Sequence, residues 1–385
     1  MSVSEQSKVR NDVALVAATA VVAGVLTAPA GVADDRIDPP ATLRLAPEAG
    51  SGVAAIDVPL RSRFRPAARG RYRTQRMHTS EFSMVGFTWR GGDARLRVRV
   101  RDDGRWRSWK HAESMPDIPD PSSAEGRRAR TGTELMWVGG SDAVQVESAD
   151  APPRGLEMAL IESGGGVAPA PARAPAPRAG SGDRLRPDDL RPRRAWGADK
   201  RLRNGDPAYN RTIKQVHVHH TVNGNGYSRA DVPGLIRGMY RYHTQNLGWS
   251  DIGYNFLVDR FGRSWVGRAG GPPRPVRGAH TLGFNHSSTG VAVIGNLETK
   301  RPKRVVITAI VQLAAWKLHK YGRHPRGWTK VWSHGSDRFP AGTRVRLRVI
   351  DGHRDTNYTA CPGKYLYKRL PDIRRRAGDR IQRLT

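Results

Sequence analysis

The apolar residues in the first half of the chain alternate with polar ones, as in a half-buried strand. Residues 82–89 and 94–100 show this period most clearly, and in the second segment arginines occupy the polar positions. We therefore expect an all-β accessory domain over residues 42–163. Trp106 and Trp109 are expected to pack in its core, with sugar stacking as the alternative.

After residue 183, segments with strand and helix periods interleave, which is typical of an α/β domain over residues 183–385. The clearest helix is residues 307–321, where apolar residues recur at helical spacing. The other predicted elements are strands at 215–219, 254–258 and 290–295, helices at 232–245 and 363–376, and a hairpin pairing 328–333 with 343–350.

Residues 164–182 contain only Gly, Ala, Val, Pro and Ser with isolated arginines, so they cannot form a core. The Pro-Ala repeats favour an extended, semi-rigid conformation. The sequence therefore predicts a linker that holds the two domains apart.

The N-terminus has the pattern of a secretory signal peptide over residues 1–33. An apolar run of 14 residues, 13–26, follows Lys8 and Arg10 and is followed by small residues, so cleavage after Ala30 or Ala33 is expected. The run is shorter than the ~20 residues of a membrane span. We expect a protein secreted to the cell wall or medium, with no membrane span after cleavage; an uncleaved N-terminal anchor is the alternative.

The net charge of the chain indicates which class of molecule it binds. The chain has 65 Lys+Arg against 35 Asp+Glu, a net charge of +30, of which residues 183–385 carry +26. Such a surface attracts polyanions. Because export and the lack of a nucleic-acid motif exclude a specific nucleic-acid binder, anionic wall polymers such as teichoic acids are the expected partners. A hydrophobic content of 38% excludes a disordered chain and a multispan membrane protein.

Cys361 is the only cysteine, so a disulfide within the chain is impossible. Exported proteins that use cysteine structurally usually carry an even number. Cys361 is therefore a buried bystander, half of an intermolecular bond, or a metal-bound thiolate.

Histidines cluster at two places. In the strand at 216–221, alternation sends His217 and His219 to one face and His220 to the other. His353 precedes Cys361 by eight positions. Imidazole and thiolate suit zinc, and three protein ligands leave a catalytic ion with an open position. Spacing alone also fits ordinary core or surface histidines.

Six sequence blocks, in order, make residues 194 to about 370 resemble the peptidoglycan recognition protein and type 2 N-acetylmuramoyl-L-alanine amidase family. They are RAWGA at 194–198, VHVHHTVN at 216–223, GWSDIGYNF at 248–256, RGAH at 277–280, GV to GN at 290–296 and GHRDTNYTACPG at 352–363. The resemblance implies a central mixed β-sheet flanked by helices. It does not cover the accessory domain.

The resemblance also assigns roles. His219, His353 and Cys361 match the zinc ligands, Tyr254 matches an active-site tyrosine, and Thr359 matches a position that is threonine or lysine in active relatives. His217 matches no ligand, so we expect it to pack beside the site.

Trp249, His280 and Asn285 lie in blocks that line the family's groove and are candidates for substrate contact. The implied reaction is zinc-dependent hydrolysis of the amide between N-acetylmuramic acid and L-alanine in peptidoglycan. The alternative is a peptidoglycan receptor without hydrolytic activity; relatives of that kind typically lack the cysteine, which this chain has.

Overall fold

A computed structural model of the chain describes residues 42–49, 51–116, 118–164 and 183–385. The predicted signal peptide and the predicted linker, apart from Gly164, lie outside these residues. Within them, no helix is both long and apolar enough to cross a membrane.

The N-terminal domain is built from strands, with three 3-10 helices of three residues each at Arg61–Arg63, Ala68–Gly70 and Gly126–Arg128. Its eleven strands form one sheet in which every strand pair is antiparallel, with the path β1-β2-β11-β5-β10-β4-β3 and the strands β6 to β9 attached to it. They are β1 (Ala46–Glu48), β2 (Val53–Pro59), β3 (Phe64–Pro66), β4 (Tyr72–Thr74), β5 (Met77–Trp89), β6 (Leu96–Asp102), β7 (Arg105–Trp106), β8 (Lys110–Ala112), β9 (Thr131–Gly132), β10 (Met136–Ser148) and β11 (Glu157–Glu162). The all-β prediction is confirmed.

The predicted alternation in β6 is present: Leu96, Val98 and Val100 are buried and the arginines between them face outward. The prediction that Trp106 and Trp109 belong to the core is wrong. Both are half-buried, and the guanidinium of Arg99 lies 5.1 Å and 4.8 Å from their ring centroids. Outward-facing arginines place their guanidinium groups over these indoles, which strand alternation alone does not indicate.

The C-terminal domain has a six-stranded sheet in the order β12-β15-β14-β16-β13-β19 and a separate two-stranded sheet of β17 and β18. The six-stranded sheet is mixed, because β14 and β15 are antiparallel and the other pairs are parallel. Its elements are β12 (Leu190–Arg191), β13 (Gln215–His220), α1 (Val232–Arg241), β14 (Phe256–Val258), β15 (Ser264–Val266), β16 (Ser288–Val293), α2 (Arg304–Lys320), β17 (Trp328–Trp332), β18 (Arg344–Arg348), β19 (Ile350–Gly352), α3 (Lys364–Tyr367) and α4 (Leu370–Leu384). The predicted α/β class is confirmed.

Two helices differ from prediction. Helix α1 continues as a π-helical turn, Tyr242–Asn246. The helix predicted over 363–376 is divided into α3 and α4, and α4 runs on to Leu384. Pro371 lies in the first turn of α4, where a missing N–H is tolerated, so the proline starts a new helix and does not interrupt one.

The two domains are in contact, which corrects the prediction that the linker holds them apart. Both belong to one compact unit, Pro40–Thr385. A single hydrophobic core contains Met84 and Ile161 of the accessory domain together with Leu235 and Met239 of α1. Both faces of the second half of β5 are buried, so one face packs within the accessory domain and the other against the α/β domain.

Candidate metal centre

Three side chains converge at one edge of the six-stranded sheet. His219 lies near the end of β13, His353 directly follows β19, and Cys361 lies in the loop before α3. Because β13 and β19 are parallel neighbours, their carboxyl ends meet at the same edge. One ligand atom from each of the three residues lies within 4.8 Å of the others, and all three residues are buried.

The two imidazoles are neutral. Burial, followed by the nearby His353, lowers the pKa of His219 well below its usual value. Burial also lowers the pKa of His353 to about 3. Their ring centroids are 4.8 Å apart. A neutral imidazole is the form that binds a metal ion.

His219 is oriented by its neighbours. Its Nε2 lies 3.1 Å from Nδ1 of His280, and its Nδ1 lies 3.7 Å from Sγ of Cys361. One proton must lie between Nε2 and the His280 ring for a hydrogen bond. If His219 carries it, Nδ1 keeps its lone pair toward the thiol.

Backbone groups position Cys361. Its Sγ accepts a hydrogen bond from the His220 backbone N–H at 3.4 Å, and its own N–H donates to Thr359 Oγ1 at 3.1 Å. The Arg354 N–H donates to the Cys361 carbonyl at 3.0 Å, which ties the two ends of the loop together. An N–H directed at sulfur stabilises a thiolate.

His217 and His220 have the places that strand alternation predicted. His217 is buried beside the cluster, and its Nδ1 lies 2.5 Å from Oδ1 of Asp351. Burial raises the pKa of Asp351 to about 6 although His217 opposes the shift. On the other face, His220 Nδ1 accepts from the Leu297 N–H at 3.1 Å. Neither residue belongs to the three-residue group.

Tyr254 and Thr359 lie at different distances from solvent. Tyr254 is buried with its ring centroid 5.6 Å from that of His219. Thr359 is half-buried and lines the cavity that reaches His353 and Cys361. Thr359 therefore borders space open to a ligand, whereas Tyr254 packs beside His219 in the buried interior.

The three predicted substrate contacts are buried. The Trp249 ring packs on His243 at 4.5 Å, and His280 contacts His219. Asn285 accepts from the His280 N–H at 2.8 Å and donates to the Ile118 carbonyl of the accessory domain at 3.1 Å. The structure brings only His280 to the cluster, and in this arrangement Trp249 and Asn285 hold other protein groups.

A cavity of about 160 Å³ adjoins the cluster, and both domains line it. The accessory domain contributes Glu113, Ser114, Pro116 and Glu134. The cavity shares Thr359 with a larger, open cleft of about 900 Å³ between the domains. The accessory domain is therefore part of the wall of the site.

Sequence reasoning missed Glu134. It is only 6% exposed. Side chains of the C-terminal domain form hydrogen bonds with the residues on either side of it. Tyr242 Oη donates to the Thr133 carbonyl at 3.0 Å, and Asn223 Nδ2 donates to the Leu135 carbonyl at 2.9 Å. No signal could have found Glu134, because it belongs to a different domain from the histidine motifs.

The donor set suits zinc: two neutral imidazoles and a thiol, all buried and within reach of one ion. His280 beside His219 supplies the kind of outer hydrogen bond that orients a ligating histidine. The residues present therefore fit the metal that the sequence motifs imply.

Comparison with known proteins identifies both domains. Residues 209–364 match the family model for N-acetylmuramoyl-L-alanine amidase, and residues 46–179 match one described as Rv3811 N-terminal galactose-binding domain-like. Peptidoglycan-recognition protein SA of Drosophila melanogaster is 36% identical over 123 residues, which are 32% of this chain and 58% of that protein. Peptidoglycan-recognition protein 1 of Holotrichia diomphalia is 27% identical over 178 residues, 46% of this chain and 77% of that protein.

Among solved structures, peptidoglycan recognition protein LE in complex with tracheal cytotoxin is 28% identical, covers 48% of this chain and 94% of its own, and has a TM-score of 0.39. The amidase match contains all three residues of the metal cluster. The C-terminal domain of this chain belongs to the peptidoglycan recognition and type 2 N-acetylmuramoyl-L-alanine amidase family.

Proposed function

We propose that this chain is a secreted, zinc-dependent N-acetylmuramoyl-L-alanine amidase that hydrolyses the amide between N-acetylmuramic acid and L-alanine in peptidoglycan. The observation that carries the proposal is the convergence of His219, His353 and Cys361 within 4.8 Å, inside the amidase match. The names of the peptidoglycan-recognition relatives support peptidoglycan as the ligand. The +30 charge favours retention on anionic walls.

Held by these three residues, a zinc ion would polarise the scissile carbonyl and lower the pKa of an attacking water. The chain's own contribution is to present the ligand atoms in the right state. His280 holds the His219 ring with Nδ1 toward Cys361, and the His220 N–H favours the thiolate. Burial keeps both imidazoles neutral, so neither imidazole must lose a proton before a metal ion binds; only the Cys361 thiol must do so.

Tyr254 and Thr359 are proposed to act on the substrate. As water adds to the amide carbon, negative charge grows on the carbonyl oxygen, and a hydroxyl donor lowers the barrier. Thr359 lines the cavity, and the Tyr254 ring lies beside that of His219, so both residues are close to the candidate ligands.

The test is digestion of purified muropeptides, with and without zinc, followed by mass spectrometry. We expect zinc-dependent release of free stem peptides, and none after chelation. Intact muropeptides in the presence of protein with stoichiometric zinc would contradict the proposal.

One observation favours a second candidate, a receptor that binds without hydrolysis. The cavity at the cluster holds only about 160 Å³ and accessory-domain residues close one side of it. Calorimetry would distinguish the two: a receptor binds muropeptides and leaves them intact with zinc present. Cys361 favours the amidase, because a receptor has no need of a third metal ligand.

A further inference from the structure

Strands β17 and β18 form a two-stranded sheet of their own, one face of which is buried. Val331, Val345 and Leu347 on that face pack against Phe284 and Phe339. The hairpin is therefore anchored by its own small core, and its shape does not depend on what covers the opposite face.

The opposite face carries three residues from each strand, directly paired in register. We call this face the Trp–Arg strip; it consists of Trp328, Lys330 and Trp332 opposite Arg348, Arg346 and Arg344. Trp328 is 46% and Trp332 is 55% exposed, among the few large hydrophobic side chains so exposed in the described residues. Aromatic side chains left in water on a rigid element mark a binding surface.

The positive charges of the strip are not balanced by nearby carboxylates. No cation of the strip forms an ion pair with a carboxylate in the described part of the chain. Residues 319–350 contain eight Lys+Arg and one acidic residue, Asp337. Asp337 is already engaged, since its carboxylate accepts from Asn357 Nδ2 and the Tyr358 N–H, each at 3.0 Å.

Arginines lie over the indoles of the strip. The guanidinium carbons of Arg348 and Arg346 are 3.8 Å and 4.3 Å from the Trp328 ring centroid, and that of Arg344 is 5.9 Å from the Trp332 centroid. Stacking limits the motion of these guanidinium groups, so less entropy is lost when an anion binds them.

The strip is attached to the loop that carries the candidate ligands. Between the two strands, Ser336 Oγ donates to the Thr356 carbonyl at 2.8 Å, and Arg338 donates to the Arg354 carbonyl. A polymer on the strip therefore lies beside the loop that contains His353 and Cys361.

We propose that the Trp–Arg strip binds an anionic cell-wall glycan, with arginines pairing with its phosphate groups and indole faces stacking on its sugars. The inference rests on the proposed function, because the wall is the polymer that must reach the metal cluster. A five-residue strand extends ~13 Å between its end residues, enough for a chain segment and not only a single ion. Arginine favours paired contacts with phosphate and carboxylate.

The test measures binding of the full chain to purified walls in a Cys361→Ser background, so that hydrolysis does not interfere. Walls with their phosphodiester polymers are compared with walls stripped of them by hydrofluoric acid. We expect Trp328→Ala/Trp332→Ala and Lys330→Glu/Arg344→Glu/Arg346→Glu to weaken binding to intact walls at least 10-fold, with little change on stripped walls and unchanged melting temperatures.

The matched control is Arg44→Glu/Arg61→Glu/Arg63→Glu, three exposed residues of the accessory domain. Both triple variants lower the net charge from +30 to +24, so only the position of the charge differs. The control should keep binding within about 2-fold.

Unchanged wall binding by the strip variants would overturn the proposal. So would strip-dependent binding to duplex DNA or to anionic phospholipid vesicles that is tighter than binding to walls at the same salt concentration. Cleavage of soluble muropeptides by the native chain is measured separately. If the native chain does not cleave muropeptides, the amidase function is rejected. The wall-binding assay tests the Trp–Arg strip independently of that result.

Discussion

Cys361 tests the candidate centre most directly, because its sulfur contacts His219 Nδ1 at 3.7 Å. Cys361→Ser replaces a thiolate with a neutral hydroxyl, a poor zinc ligand, in a nearly identical volume. We expect bound zinc to be lost and turnover of muropeptides to fall by at least about 100-fold, since even outer-sphere changes cost 10- to 100-fold. Metal analysis and circular dichroism on the same sample separate metal loss from unfolding. A variant that keeps both zinc and turnover would exclude Cys361 as a ligand.

Tyr254→Phe removes a hydroxyl and keeps a ring that is buried in the core. If the hydroxyl stabilises charge on the carbonyl oxygen, kcat should fall by ~100- to 1000-fold while KM changes little. Zinc content should remain stoichiometric, in contrast to Cys361→Ser. Stopped-assay kinetics with soluble muropeptides measures kcat and KM separately. A normal kcat would show that Tyr254 only packs in the core.

At the residue scale, the sequence motifs indicated the metal cluster but not the exposure of its surroundings. His219, His353 and Cys361 could be placed together because the family resemblance assigns all three to one metal site; their spacing alone left other roles open. Trp249 and Asn285 could not be placed, because their burial depends on neighbours from other parts of the chain.

At the scale of elements, buried strands were the most predictable part of the fold. Strand β13 is buried on both faces, yet its period still separates His217 and His219 from His220. The break between α3 and α4 was not predicted, because the apolar spacing of Leu366, Leu370 and Ile373 continues across the region where it occurs.

Strand β10 supplies a testable stabilising contact. Glu147 is 1% exposed and forms ion pairs with Arg71, Arg73 and Arg97. Burial alone would raise its pKa, but the hydrogen bonds from these arginines outweigh burial and lower the pKa from 4.5 to about 2. A lowered pKa stabilises the fold at pH values above 4.5, and this contribution is lost as the pH falls from 4.5 toward 2.

Glu147→Gln should therefore lower the free energy of unfolding by about 2 kcal/mol at pH 7 and by clearly less at pH 3. Urea unfolding at the two pH values measures the difference. The control is Asp150→Asn, which removes an exposed, solvent-screened pair with Arg95 and should change the free energy of unfolding far less than Glu147→Gln does. Equal losses for Glu147→Gln at both pH values would show that the charge of Glu147 does not stabilise the fold.

At the scale of the whole molecule, the accessory domain is part of the fold of its neighbour. The linker composition describes how a free chain behaves and does not report whether the domains dock. Docking depends on complementary surfaces, here the outer face of β5 and β11 against α1 and the turn after it. The hydrophobic pattern of either domain alone does not reveal that these two surfaces are complementary.

Gly86 and Tyr242 test this contact in solution. A Cβ at Gly86 would lie 2.7 Å from Tyr242 Cε2 and 3.1 Å from a Leu135 methyl. Because the Tyr242 ring is buried, moving it to relieve these contacts would destabilise the fold. The Tyr242 hydroxyl proton is shared between the Phe87 carbonyl at 2.8 Å and the Thr133 carbonyl at 3.0 Å, which fixes the ring against β5. We expect Gly86→Ala to destabilise the full chain by ~1–3 kcal/mol, although alanine is otherwise no worse than glycine in a strand.

In a double-mutant cycle, Tyr242→Ala should remove most of the added cost of Gly86→Ala, which gives a coupling energy of about 1 kcal/mol or more. Gly91→Ala is a matched control in the same domain, since a Cβ there meets nothing within 4 Å; its positive φ of 87° adds only local strain that Tyr242→Ala cannot relieve. Urea unfolding of the native chain and five variants provides the measurement: Gly86→Ala, Gly91→Ala, Tyr242→Ala, and the two double variants that combine each glycine substitution with Tyr242→Ala. If the costs of Gly86→Ala and Tyr242→Ala simply add, Gly86 and Tyr242 do not meet in solution, and the accessory domain does not complete the wall of the metal site.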